Sequence, residues 1–204
     1  MQSTMEIGGR LSTKLKKGMN SAPAIWKAKQ LLRPDYISGF ANVQAAKALS
    51  KLTGIPTLIS ELRAVKVDEN GRKTDYGVVS YKVVTTAFVN FMVDQLQAET
   101  SEWGDFKFHD SGVGTTGAAV GDTDMETTDG ESRVTGSQLE GASANIYKTA
   151  GTITYTTTKA ITEQGVFSQA SGGTLLDRHV FTAINVENTD SIEFTYELTC
   201  SAGG

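Results

Sequence analysis

Three runs of alternating side chains, Ile146 to Tyr155, Leu175 to Val186 and Ser191 to Thr199, constrain the fold more than any other feature of the chain. Each is rich in Thr, Tyr, Val, Ile and Phe, whose branched or flat side chains fit a pleated surface. In the last run Ile192, Phe194, Tyr196 and Leu198 share one face, and Glu193, Thr195, Glu197 and Thr199 share the other. That is the pattern of a strand with one dry side and one wet side. Turn signals stand between the runs, Ser171-Gly172-Gly173 and Glu187-Asn188-Thr189-Asp190, and short connections of this kind join antiparallel neighbours. The expected core is an antiparallel sheet.

Upstream the period changes several times. Ser21 can cap a helix that begins at Pro23, carries Ile25, Ala28 and Leu32 on one side and stops at Pro34. A second helix is expected over Ala41 to Leu52, with Val43, Ala46, Leu49 and Leu52 as its apolar side and Gly54 and Pro56 as its end. Both are too short to stand alone, so they should dock on the body or on a neighbouring subunit. Leu58 to Val67 and Gly77 to Thr85 read as strands joined through an Asn70-Gly71 turn. Thr86 to Ala98 reads as one amphipathic helix, because Phe88, Phe91, Met92 and Leu96 fall on one side. Trp103, Phe106 and Phe108 suggest a short aromatic strand. Ser111 to Asn145 holds seven glycines and six acidic residues; it reads as a long exposed loop or as short irregular strands, Arg133 to Ser137 being one such strand.

Charge is divided unevenly. Residues 1–56 carry nine Lys or Arg against Glu6 and Asp35, a net +7, so with −4 overall the rest of the chain holds −11. A basic, partly helical arm over 1–56 and an acidic body over 57–204 should face different partners. The candidate contact residues are Arg10, Lys14, Lys16, Lys17, Lys27, Lys29 and Arg33. No aromatics interleave Lys14, Lys16 and Lys17, so nucleic acid is expected only as a secondary partner.

The motifs that could carry chemistry fall short of it. Gly112-Val113-Gly114-Thr115-Thr116-Gly117 spells G-x-G-x-x-G, but the turn-rich Ala118 to Asp124 leaves no room for the helix a dinucleotide needs. Asp122, Asp124, Glu126, Asp129 and Glu131 crowd together, yet Thr127 stands where a calcium loop needs glycine, so a solvated acidic loop is expected. His109 is expected to cap a turn at a strand end, and His179 to lie at a surface or interface. Two histidines and the single Cys200, a small residue at a strand end, make no zinc set. No nucleophile, base and orienting group come together, so neither an enzyme nor a cofactor is expected. No apolar run approaches the roughly 20 residues that span a bilayer, and no signal-peptide segment opens the chain, so no membrane partner and a cytoplasmic origin are expected.

A resemblance rests on an ordered series of segments: His109 to Thr116, Ala119 to Thr123, Arg133 to Gly136, Ala160 to Phe167, Gly173 to Arg178 and Asp190 to Ile192. Together they resemble a family of tailed-bacteriophage virion structural proteins, over roughly residues 88–199. The resemblance implies a mainly β, antiparallel, jelly-roll-like sandwich without catalytic residues, and the period change over Thr86 to Ala98 inserts one helix in it. It implies a capsid cement or decoration protein in the virion, made in the host cytoplasm. A fibre or head-to-tail connector is the structural alternative and a glycan-binding module the alternative of another class. The partners expected are the major capsid protein, other virion proteins and further copies of the chain in a homotrimer or other cyclic oligomer.

Overall fold

The computed structural model describes residues 19–82, 84–97 and 106–201. Its described chain is mainly β, with two sheets around one large apolar core and a small second cluster of Met125, Phe167 and Leu175 beneath the acidic loop. β1 (Met19–Ser21), β2 (Thr57–Val67), β3 (Lys73–Lys82), β6 (Leu139–Glu140), β7 (Ile146–Thr154) and β10 (Ser191–Ser201) form the larger sheet, in the order β1-β3-β2-β10-β7-β6. β4 (Phe108–Gly112), β5 (Val134–Thr135), β8 (Lys159–Phe167) and β9 (Leu175–Val186) form the smaller, in the order β5-β4-β8-β9. Every pairing is antiparallel except β1 on β3.

β10 lies at the centre of the larger sheet, and it buries Ile192, Phe194, Tyr196 and Leu198 as its alternation requires. These meet Ile161 and Val166 of β8 and Phe181 and Ile184 of β9 in one core. α3 (Thr86–Gln97) closes an end of this core with Phe88 and Phe91, which stack edge-on against Phe106. Phe106 is buried in a turn, so the aromatic strand expected there begins only at Phe108; Trp103 lies outside the described residues. The β2–β3 hairpin turns on Gly71 alone, at a φ of 73°.

The core extends below residue 57, because Ala22 and Trp26 belong to it. α1 (Ala24–Leu31) has Pro23 rather than Ser21 at its N-cap, Ser21 being part of β1. Its inner residues are Trp26 and Gln30, and the expected stripe of Ile25 and Leu32 points outward at 72% and 77% exposure. The reason is the neighbour it meets. Among the described strands β9 pairs only with β8, which leaves one edge of its backbone open. Trp26 Nε1 donates to the carbonyls of Thr182 and Ala183, both at 3.1 Å, and Gln30 Oε1 accepts from Thr182 N at 2.8 Å. Gln30 Nε2 also donates to the Val79 carbonyl of β3. A helix that satisfies a strand edge needs polar arms, not leucines, and the capped edge no longer invites another chain.

α2 (Pro34–Thr53) is longer than expected, since Pro34 occupies its first turn instead of ending α1. It buries Gly39, Val43 and Ser50. At Gly39 the helix lies directly on β3: a Cβ there would stand 2.5 Å from the Tyr81 carbonyl oxygen. Leu49 and Leu52, expected to face inward, are exposed.

Candidate functional site

Two features could carry function: an outer helical surface of apolar and basic residues, and a loop of acidic residues clamped on the smaller sheet.

Arg10, Lys14, Lys16 and Lys17 lie outside the described residues. Lys27 and Lys29 are exposed on α1, free to meet an acidic partner. Arg33 is held by Asp35 through two bonds of 3.0 and 2.7 Å, so part of its charge is spent within the chain. The surface beside these cations is apolar. Eight of the thirteen exposed large apolar side chains among the described residues fall between Ile25 and Ile55. On α2, Ile37, Ala41, Ala45, Ala48 and Leu52 share the side opposite the buried Gly39, Val43 and Ser50, and Leu52 is 84% exposed. A contiguous apolar patch of this kind marks a contact surface, because a lone chain gains nothing by wetting it.

The acidic segment is folded back on the smaller sheet and each of its carboxylates has a partner, while Asp124 and Glu126 remain exposed to solvent as expected. Glu163 of β8, fully buried, accepts from the backbone N–H of Gly114 at 3.0 Å and of Thr127 at 2.8 Å through Oε1, and of Glu126 at 3.2 Å through Oε2. Arg178 of the neighbouring β9 donates to Glu163 at 2.6 Å, to Asp122 at 3.0 Å and to Glu126 at 3.1 Å. Arg133 binds Asp110 at 3.0 Å, stands 3.5 Å from Asp124 and lies over the Phe167 ring at 3.4 Å from its centroid. Ser111 donates to Asp129, and Lys159 to Glu131 at 2.6 Å. The G-x-G-x-x-G thereby acquires a steric purpose: a Cβ on Gly112 or Gly114 would come within 2.5 Å of Glu163 Oε1. Those glycines let the loop close over a buried carboxylate. No group of three or more metal-ligating side chains occurs among the described residues.

Both histidines are buried, against expectation. His109 sits inside β4 in a slot that Gly136 and Gly151 leave open. The Gln164 amide nitrogen lies 3.0 Å from His109 Nδ1 and 2.9 Å from the Gly165 carbonyl, so it donates to both. Nδ1 must then be an acceptor, and the neutral ring donates from Nε2 to Thr149 Oγ1 at 2.9 Å. Burial pushes the His109 pKa down to about 4. His179 faces the core between the sheets, edge-on to Tyr196, with Nε2 3.3 Å from an Asp177 oxygen. Asp177 also accepts from Ser60 of the facing sheet. Asp177 and His179 make a polar patch inside the sandwich, and neither reaches the outer surface. Cys200 is exposed near the end of β10.

No family model matches the chain, and no curated protein or solved structure matches it either. Among the described residues no helix is long and apolar enough to cross a membrane. Sequence reasoning missed Glu163 and Arg178 as the hub of the clamped loop. The available signal was a charged pair inside two strand-forming segments, where an unpaired charge is too costly to bury.

Proposed function

We propose that this chain is a structural component of a phage particle, a capsid cement or decoration protein that binds the assembled shell. The observation that carries this reading is the apolar and basic outer surface of α1 and α2, a place for other protein chains and not for a small substrate. The resemblance of the ordered segments to a virion family supplies the particle context. The jelly-roll kinship belongs to the proposal, although β2–β3 and β8–β9 are hairpins within single sheets of six and four strands.

In this reading the basic N-terminal residues, Arg10, Lys14, Lys16 and Lys17 with Lys27 and Lys29, meet acidic surface on the major capsid protein, and packaged nucleic acid only secondarily. A homotrimer or other cyclic oligomer built on the sandwich is also proposed. Deleting residues 1–18 spares β1 and every core residue among the described ones, whereas deleting 1–56 would remove Ala22, Trp26 and Gln30 as well. The shorter truncation is the clean test. It should leave a folded chain that no longer cosediments with particles, and salt should weaken attachment of the full chain, since exposed charges are screened within about 10 Å at roughly 0.1 M. Undiminished attachment of the truncated chain would overturn the basic anchor.

A further inference from the structure

A recess of about 230 Å³ lies between the first turns of α2, the end of β3, the 118–120 loop and the start of β9. Its helical wall is fixed in place, because Gly39 brings α2 directly onto the Tyr81 carbonyl. Asp177 and Arg178, at 1% and 4% exposure, form its floor. Much of the charge around it is already spent. Glu163, Asp122 and Glu126 hold Arg178, and Arg33 holds both oxygens of Asp35. Other groups are not. Asp177 Oδ2 accepts from Ser60, but Oδ1 has no hydrogen-bond partner among the described residues. The Lys82 ammonium and the Asn42 amide, which also line the recess, have none there either. Ser38 gives its proton to the Asp35 carbonyl and keeps its lone pairs. A carboxyl group shut into the fold with one oxygen unclaimed is costly, so Asp177 is the group that calls for an occupant.

The unclaimed groups stand on three sides and differ in kind: an acceptor on the floor, a donor on β3, and both on α2. An anion would confront Asp177, and a cation would confront Lys82. A zwitterion has two polar ends for three sides. A sugar ring meets all of them, since its hydroxyls both donate and accept around the edge, and its C–H face suits the apolar side made by Val43, Ala119 and Val120. Size points the same way. The recess is smaller than the roughly 300–1,000 Å³ of sites for drug-sized ligands, which limits the occupant to about one ring. We propose that this recess binds one neutral pyranose, with a hydroxyl donating to Asp177, another accepting from the Lys82 ammonium, and a third bonded to the Asn42 amide.

The inference goes beyond particle attachment and does not rest on it, and it is read on the isolated full-length chain, so the two outcomes are separate. The probes are D-glucose, D-galactose, N-acetyl-D-glucosamine and their methyl glycosides, titrated into the ¹⁵N-labelled chain. A ligand of about a dozen heavy atoms at ordinary efficiency binds with a dissociation constant of order millimolar. At least one probe should give saturable shifts at the amides of Gly39, Asn42, Lys82 and Ala119. Asn42→Ala and Lys82→Met should each weaken it roughly tenfold with the thermal melt unchanged, since neither side chain is buried. Binding of the methyl glycosides as well as the free sugars would identify the occupant as the end of a glycan chain, and binding of the free sugars alone as a free sugar; either result supports the site. No saturation by any of these probes would overturn the proposal. So would sodium phosphate, methylammonium chloride or glycine shifting the same amides at lower concentration than the sugars, or variants that bind as the wild type does.

Discussion

Acidification should weaken this protein through one buried imidazole. His109 has an ordinary pKa of 6.5, and burial takes it to about 4 in the folded chain. The hydrogen bonds agree with that direction, since Nδ1 accepts from Gln164 and a proton there would confront an amide donor. Between the two values the unfolded chain holds a proton that the folded chain refuses. The contribution is intact above about pH 6.5 and is lost as the pH falls toward 4. At about 1.36 kcal/mol per pKa unit, the loss from this group is roughly 2 kcal/mol by pH 5 and about 3 kcal/mol below pH 4. Against a typical stability of about 5–15 kcal/mol this is measurable. The assay is urea unfolding at pH 7.5 and pH 5 for the wild type and for His109→Gln, which has nothing to titrate at that position. Carboxylates such as Asp110 titrate in both chains and cancel in the comparison. The wild type should lose about 2 kcal/mol more than the variant over this interval. Equal losses would refute both the neutral tautomer and the burial argument.

Other expectations follow from the loop clamp and the capped edge. Arg178→Met removes the cation shared by Glu163, Asp122 and Glu126 and leaves Glu163 buried, so urea unfolding should show a cost of about 3–5 kcal/mol and limited proteolysis should cut within residues 113–127; a change below about 1 kcal/mol would mean that the three backbone donors suffice. Gln30→Ala strips the bridge between Val79 and Thr182; a cost of about 1–3 kcal/mol is expected, with faster aggregation as the β9 edge opens, and an unchanged aggregation rate would count against α1 as its cover.

Sequence alone showed β2, β7, β9, β10 and α3, because each keeps one period long enough to read. β8 was hidden for a physical reason. Its register shifts between Ile161 and Glu163, so Ile161, Gln164 and Val166 face the core while Thr162 and Glu163 face the loop. With both faces buried and a bulge breaking the phase, the polar Thr162, Glu163 and Gln164 give no alternation. The helices α1 and α2 were found but only partly oriented: Val43 faces inward as expected, whereas Ile25, Leu32, Leu49 and Leu52 are exposed. Their inner sides are chosen for bonding a strand edge and for close approach, which favours Gln30, Gly39 and Ser50, while the leucines serve the outer face. The same reason hid the histidines: His109 is buried because Gly136 and Gly151, far from it in sequence, make room for its ring.

The central claim is that the chain is a repeated structural part of a phage particle, and its copy number in purified particles is the most direct measurement. Peptide quantification against the major capsid protein should find the chain in fixed, symmetry-related proportion to the shell, with many copies per particle. A few copies confined to the tail would favour the fibre or connector reading, and absence from washed, intact particles would contradict the account.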